Sequence, residues 1–280
     1  MSAGNHFLFW NRRRRTIAMA VLSAVLLLLI AVLGRIWEPD ALVSDFSRKN
    51  LAPCGAYFFG TDWLGRDMMR RTVTGLSMSI RLGALTAAAS SVIALLLGTA
   101  AAVCGKTVDR LISGLIDLVM GIPHMLLLIL ISYAAGKGFT GVLLGISLTH
   151  WPSLARLIRA EVLQLKASQY VKISEKLGMG RLWIAREHML PHLVPQFATG
   201  LVLLFPHAIL HEASITFLGF GLPPEEPAVG IILSESMKYL ITGKWWLAVF
   251  PGLFLVFCVL LFQGLGQSLS SLLDPGSAHE

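Results

Sequence analysis

Charged side chains are scarce in this sequence. Lysine, arginine, aspartate and glutamate together make up 14% of its 280 residues, whereas globular chains carry about 25%. A soluble fold of this length could not keep so much apolar surface from water, and a disordered chain has the opposite bias. Hydrophobic residues reach 55%, and the mean hydropathy is +0.70. The composition therefore predicts an all-α integral membrane protein that contacts the lipid bilayer along much of its length.

Cysteine is also rare, which excludes disulfide-rich and zinc-finger classes. Cys54, Cys104 and Cys258 are too few for a disulfide framework and have no zinc-type spacing. The formal net charge is +7, but the basic residues lie in short segments between apolar runs. Such segments are typical of loops held on the cytoplasmic side of a membrane. We therefore expect no nucleic-acid partner.

Complete catalytic motifs are missing from the chain. His211-Glu212 begins like a zinc protease helix, but the second histidine would fall at Ile215. Gly105-Lys106-Thr107 looks like the end of a phosphate-binding loop, but the first glycine of that loop would fall at Ala100. The sequence therefore predicts a protein that is not an enzyme and has no cofactor of its own.

Six apolar runs are long enough to span a bilayer, which takes about 20 residues. The block Arg12 to Arg15 favours a retained first helix over a cleaved signal peptide and places the N-terminus in the cytoplasm. Six crossings return the C-terminus to the same side. The runs are Ile17 to Ile36, Ser79 to Val103, Leu111 to Tyr133, Phe139 to Leu157, Leu190 to Leu218 and Trp246 to Leu269.

Two histidines stand one helical turn apart on the fifth run. They are His207 and His211, with Glu212 beside them. Ionisable groups within a membrane usually face a bundle interior or an aqueous path, so one interpretation is that they line the substrate route and touch a metal or charged substrate. The other is interhelical hydrogen bonding that fixes the packing, because one such pair supplies too few ligands for a stable metal site. The sequence leaves both open.

Two loops are too long to be simple connections. Residues 37 to 75 are predicted outside, as are residues 222 to 240, and the former contain the turn-rich segment Gly60 to Asp67. Residues 158 to 189 are predicted inside, as two short amphipathic helices separated at Gly178. Glycine there can adopt a positive φ and turn the chain after a helix C-terminus.

Segments spread along most of the chain resemble the second permease subunit of bacterial ABC importers in the peptide/nickel class. They are Gly60 to Asp67, Tyr170 to Pro191, Ser214 to Gly221, and Trp246 to Gly252 with Leu273-Asp274-Pro275. The resemblance implies a type I ABC importer permease with six transmembrane helices in the bacterial cytoplasmic membrane. Its implied partners are a second homologous permease, two cytoplasmic ATPase subunits and an extracytoplasmic substrate-binding protein. ATP and Mg²⁺ would be bound by the ATPases.

The same resemblance assigns the inner loop to coupling with the ATPases. The residues implied there are Lys172, Ser174, Glu175, Leu177, Gly178, Leu190 and Pro191. Relatives commonly have Glu-Ala-Ala where this chain has Lys172-Ile173-Ser174, so the polar contacts with the ATPase must differ.

We expect an N-terminal region at 1–75, comprising a cytoplasmic segment, the first span and an external loop. A transmembrane domain at 76–270 follows, with the coupling loop at about 158–189, and then a cytoplasmic tail at 271–280.

Two histidine-containing segments bear on the substrate. His207 to His211 and Leu148 to Trp151 resemble nickel-type members of the class more than oligopeptide members. The predicted substrate is therefore a metal chelate, either nickel or a metal–metallophore complex, with a small peptide as the alternative.

An ion-coupled secondary transporter is the alternative from another functional class. It predicts paired inverted repeats and broken helices in both halves, and the sequence has no evident repeat.

Overall fold

The computed structural model describes residues 12–273, and helices account for most of them. Within this range the β pairing is one isolated bridge between Thr61 and Asp67. Helices satisfy their own backbone hydrogen bonds, as a bilayer requires, and the all-α prediction is confirmed. The helices are α1 (Arg12–Ala41), α2 (Met68–Val103), α3 (Lys106–Gly121), α4 (His124–Ala134), α5 (Gly138–Ala167), α6 (Gln169–Lys176), α7 (Arg181–Ile184), α8 (Leu190–Phe217), α9 (Val229–Leu240) and α10 (Trp246–Leu273), with a π-helical turn (Ala185–Met189) before α8.

Four helical stretches are each long and apolar enough to cross a membrane. They are α1, α2, the stretch Ala185–Phe217 that contains α8, and α10. A fifth candidate is the pair α3 and α4, which is bent by 97°. α5 is 30 residues long, but His150 and the charged residues from Arg156 onward lower its hydropathy. Most of the predicted cytoplasmic tail and the segment before residue 12 lie outside the described residues.

The predicted third span, Leu111 to Tyr133, is wrong as a single helix. α3 ends at Gly121 and α4 begins at His124, because Pro123 between them has no N–H to donate and its ring clashes with a preceding turn. Ile122 accordingly has an extended backbone, with φ −89° and ψ 137°, as residues before proline prefer. The span is therefore broken near its middle.

The second span starts earlier than the apolar run suggests. α2 begins at Met68 rather than Ser79, because the side chain of Asp67 accepts a hydrogen bond from the backbone N–H of Met69 at 2.8 Å and caps the helix. α2 therefore continues across residue 75, the predicted end of the N-terminal region.

α2 lies at the centre of the bundle and packs against α1, α5 and α8. Its small residues permit this closeness: a β-carbon on Gly98 would lie only 2.7 Å from the carbonyl oxygen of Ala155 in α5. The Ser90 hydroxyl also donates to the carbonyl of Ser147 in α5 at 3.1 Å. Membrane helices associate through such small and hydroxyl-bearing residues. α2 is thus the support that positions α5 and α8.

The loop before α2 is held by ion pairs around Asp62. Its carboxylate is fully buried and lies 2.7 Å from Nε of Arg66 and 2.6 Å from Nη1 of Arg71. Arg71 also donates to Glu235 of α9 at 3.0 Å. The segment Gly60 to Asp67 also contacts α9 directly, because the ring of Trp63 stacks on that of Tyr239 with centroids 4.8 Å apart. The two segments predicted to lie outside are therefore on the same side of the protein.

Candidate functional site

A cavity of about 520 Å³ lies where the break between α3 and α4 faces α5 and α8. Its lining includes Pro123, His124, His150, Ser153, His207 and His211. Four of the eight histidines of the chain thus line this one cavity. None of the described residues lining this cavity carries a carboxylate. The cavity therefore offers imidazole nitrogens within mainly apolar surroundings.

Three of these histidines form a compact cluster. His124 begins α4, His150 lies on α5 and His211 lies on α8. Their ring centroids are 4.7 Å apart for His124 and His150, 4.5 Å for His124 and His211, and 5.1 Å for His150 and His211. One ring nitrogen from each lies within 4.8 Å of the other two. The break at Pro123 is what brings the first residue of α4 against the two longer helices.

Hydrogen bonds fix the orientation of two of the rings. Nδ1 of His150 lies 3.0 Å from the carbonyl oxygen of Ile146, which can only accept, so this nitrogen donates. Nδ1 of His211 lies 3.2 Å from the thioether sulfur of Met125, another acceptor. A neutral ring that donates from Nδ1 has its lone pair on Nε2. The Nε2 atoms of His124 and His150 are buried without a hydrogen-bond partner.

The structure separates the three residues that the sequence grouped on the fifth run. His207 and His211 both line the cavity. Glu212 does not, because its carboxylate is fully buried between α8 and α2. There it accepts hydrogen bonds from the hydroxyls of Ser79 at 2.6 Å and Thr216 at 3.1 Å. The geometry of Glu212 is thus that of a packing residue, and its role on a substrate route stays a prediction.

His124 is the member of the cluster that the sequence did not single out. It stands alone in an apolar run, so no helical spacing marks it, and His150 was noticed only through a resemblance. The available signal was Pro123, which predicts an interruption of the span and therefore an unusual position for the residue that follows. Only the packing of α4 against α5 and α8 brings the three rings together.

The inner segment between α5 and α8 is attached to the bundle by one face of α6. Val171 is fully buried in the core cluster that contains Ile184 and Leu193. The hydroxyl of Ser174 lies 2.9 Å from Nε2 of His188 in the π-helical turn. The remaining implied coupling residues are exposed: Lys172, Glu175, Leu177, Gly178, Leu190 and Pro191. Leu177, with 72% of its surface exposed, is the most exposed apolar side chain among those of this segment that the structure describes.

Gly178 ends α6 in the way the sequence predicts. Its φ is +81°, and its N–H donates to the carbonyl of Glu175 at 3.1 Å. The N–H of Met179 donates to the carbonyl of Ser174 at 3.1 Å. These bonds satisfy the last carbonyls of the helix, as left-handed glycines after helices commonly do. The predicted positive φ is confirmed, and the coupling role of the segment stays a prediction.

Comparison with known proteins identifies similar chains along nearly the whole length. The dipeptide transport system permease protein DppC of Bacillus subtilis (strain 168) is 31% identical over 269 residues, covering 95% of this chain and 84% of that protein. The oligopeptide transport system permease protein OppC of the same organism is 30% identical over 268 residues, covering 94% of this chain and 87% of that protein.

A solved structure shares the fold at lower sequence identity. A chain of the MetNI methionine ABC transporter in an inward-facing conformation superposes with a TM-score of 0.62 at 18% identity, covering 74% of this chain and 98% of that chain. The family model described as binding-protein-dependent transport system inner membrane component matches residues 91–276. The chain therefore belongs to this family and is a multi-pass inner-membrane permease subunit of the ABC importer type.

Proposed function

We propose that this permease forms half of the translocation path of an importer in the bacterial cytoplasmic membrane. A second homologous permease supplies the other half, two cytoplasmic ATPases bind ATP and Mg²⁺, and an extracytoplasmic binding protein delivers the substrate. The substrate is a metal chelate or a small peptide. The peptide alternative is supported by the names of the relatives, and the chelate by the histidines of the cavity.

The observation that carries this proposal is the exposed inner segment between α5 and α8, which contains α6 and is called the α6 segment below. Val171 anchors it, while Ile173 and Leu177 present apolar side chains to solvent beside Lys172 and Glu175. An amphipathic helix whose outer face is partly apolar fits a groove on a partner protein. Docked in an ATPase, α6 would convert movement of that partner into movement of the helices joined to it, which gives alternating access.

Copurification tests this function. The chain, isolated from its native membrane in mild detergent, should bring the second permease and the two ATPases with it. Leu177→Asp should reduce ATPase recovery and leave the second permease bound, because a carboxylate in the apolar groove loses hydration without a partner. Leu42→Asp, at an exposed leucine in the opposite loop, is the matched control and should recover the whole complex. Wild-type recovery of ATPases with Leu177→Asp, or their absence from the wild type, would contradict the proposal.

The proposed topology has six spans: α1, α2, the bent pair of α3 and α4, α5, α8 and α10. Both termini then lie in the cytoplasm with α6, while the Asp62 loop and α9 lie outside. The contact between Trp63 of that loop and Tyr239 of α9 supports this arrangement, because it requires both on one side. Basic residues between α5 and α8 agree with a cytoplasmic location.

Native cysteines allow a direct test of the topology. Cys54 and Cys104 are exposed, in the loop before α2 and just after α2, whereas Cys258 is buried. A membrane-impermeant maleimide should label intact cells carrying Cys104→Ser and should not label those carrying Cys54→Ser. After permeabilisation both variants should be labelled, which controls for the reactivity of each thiol. Labelling of Cys104 in intact cells would refute the proposed orientation.

A further inference from the structure

Three imidazole rings from three helices converge in the cavity, where they are held by α4, α5 and α8. From this convergence we propose that His124, His150 and His211 form a binding site for a divalent first-row transition-metal ion such as Ni²⁺, Co²⁺, Cu²⁺ or Zn²⁺. Metal binding follows from the cluster itself. The position of this metal site on the route of an imported metal chelate rests on the function proposed above.

The protonation pattern of the rings suits a metal. Nδ1 of His150 donates to a backbone carbonyl and Nδ1 of His211 donates to a thioether, so each ring has its Nε2 lone pair available. Metal-ligating histidines commonly donate their second nitrogen to a carbonyl, carboxylate or water in this manner. The Nε2 atoms of His124 and His150 are buried without a partner. Buried polar atoms seldom lack one, and a metal ion would satisfy these atoms directly.

Packing alone does not account for the cluster. Among the described residues no hydrogen bond joins any two of the three rings, which meet only as tilted or edge-on ring contacts. Three apolar side chains would fill the same space without leaving unpaired nitrogens. The arrangement therefore carries a desolvation cost that helix packing does not require.

The separations between the ring nitrogens are close to those in a metal coordination sphere. A tetrahedral ion held at about 2.1 Å from each nitrogen sets nitrogen separations of about 3.4 Å. The nitrogens lie within 4.8 Å of one another, so each needs to move by about 0.7 Å to reach an ion at their centre. The terminal torsion of histidine is broad and permits this at little cost. Binding of an ion thus requires only small movements of side chains that are already close together.

The ligand set indicates which ions the site prefers. Imidazole suits nickel, cobalt, copper and zinc, whereas magnesium and calcium prefer oxygen ligands. The described residues lining the cavity provide no carboxylate. Three protein nitrogens leave at least one coordination position open, as in metal sites that exchange a ligand. That position is accessible to a donor group of a chelator or to His207, which lines the same cavity.

Metal titration of the intact complex tests the site. The complex is purified with an affinity tag free of histidine, stripped with a chelator, and titrated with Ni²⁺, Co²⁺ and Mg²⁺ in competition with a fluorescent metal indicator. We expect Ni²⁺ and Co²⁺ to bind at the three histidines and Mg²⁺ not to bind there, with Co²⁺ absorption bands typical of imidazole ligation. His124→Gln, His150→Gln and His211→Gln should each weaken Ni²⁺ binding by at least about tenfold.

A histidine outside the cavity supplies the matched control. His192 is exposed near the start of α8, away from the cluster, and His192→Gln should bind Ni²⁺ as the wild type does. Equal Ni²⁺ affinity in the wild type and in the variant lacking all three cluster histidines would overturn the proposal. So would the absence of Ni²⁺ binding by the wild-type complex.

The same preparation separates this proposal from the proposed function. If the ATPases copurify and no metal binds, the metal site is refuted and the importer function is retained. If Ni²⁺ binds through the three histidines but no ATPase or second permease is recovered, the importer function is refuted and the metal site is retained.

Discussion

Replacing Asp62 by alanine is expected to lower the free energy of unfolding by about 3–5 kcal/mol, because it leaves two arginines without their buried partner. The Asp62 side chain is 0% exposed and that of Arg71 is 6% exposed, with 2.6 Å between Oδ2 and Nη1. The same carboxylate accepts the backbone N–H groups of Leu64 and Arg66 at 2.8 and 2.9 Å. Removing it therefore leaves the partly exposed Glu235 as the acidic partner of both arginines and unpairs the two backbone amides.

A matched pair on the surface controls for this experiment. Asp40 and Arg70 lie 2.7 Å apart, nearly the same distance, but their side chains are 60% and 42% exposed. Exposed ion pairs contribute less than about 1 kcal/mol, so Asp40→Ala should have a small effect. The measurement is the thermal unfolding midpoint of the detergent-solubilised protein for both variants. Equal shifts would show that burial does not decide the strength of the Asp62 contacts.

Replacing Gly178 by valine is expected to reduce transport-coupled ATP hydrolysis roughly 5- to 30-fold. At φ +81° a residue with a β-carbon is disfavoured by about 1–2 kcal/mol, which corresponds to that factor in the ratio of the native turn to its alternatives. An added β-carbon meets no atom within 4 Å, so the effect is conformational rather than a clash. The end of α6, including Leu177, would then be displaced from its position for docking.

Gly180 provides the control for that variant. It lies two residues further along, also with open space around an added β-carbon, and its φ is not in the left-handed region. Gly180→Val should therefore retain most of the stimulated hydrolysis. The measurement is ATPase activity of the reconstituted complex with and without its substrate-loaded binding protein. If Gly178→Val hydrolyses ATP at the stimulated wild-type rate, the turn at Gly178 is not needed for coupling.

Local sequence features predicted those parts of the fold that depend on neighbouring residues. Gly178 is an example, because a glycine after an amphipathic stretch is sufficient reason to expect a positive φ. The break at Pro123 is equally local, but it was not predicted from hydropathy, because the residues on both sides are apolar. An average of hydropathy along the chain does not detect that proline lacks a backbone N–H. Helix α9 was not predicted either, because it is short and lies in a segment interpreted as a loop.

The candidate site depended on contacts that no local pattern contains. His207 and His211 were found from their spacing, but His124 and His150 are on other helices and join them only through tertiary packing. Adjacency in sequence also does not place Glu212 beside His211 in the cavity. Successive residues of a helix point about 100° apart, so the histidine faces the cavity while the glutamate faces α2.

The helices that carry two of the three clustered histidines, α5 and α8, are the two helices that the α6 segment joins. His150 stands 17 residues before the end of α5 at Ala167, a distance of about 26 Å along the helix axis. Over that length, a tilt of about 2° displaces the ring by about 1 Å, comparable to the movement that closes the nitrogens around an ion. His124, on α4, does not share this connection. A small rotation imposed at α6 would therefore change the ion's coordination number, so that release follows from the angle between helices rather than from a competing ligand.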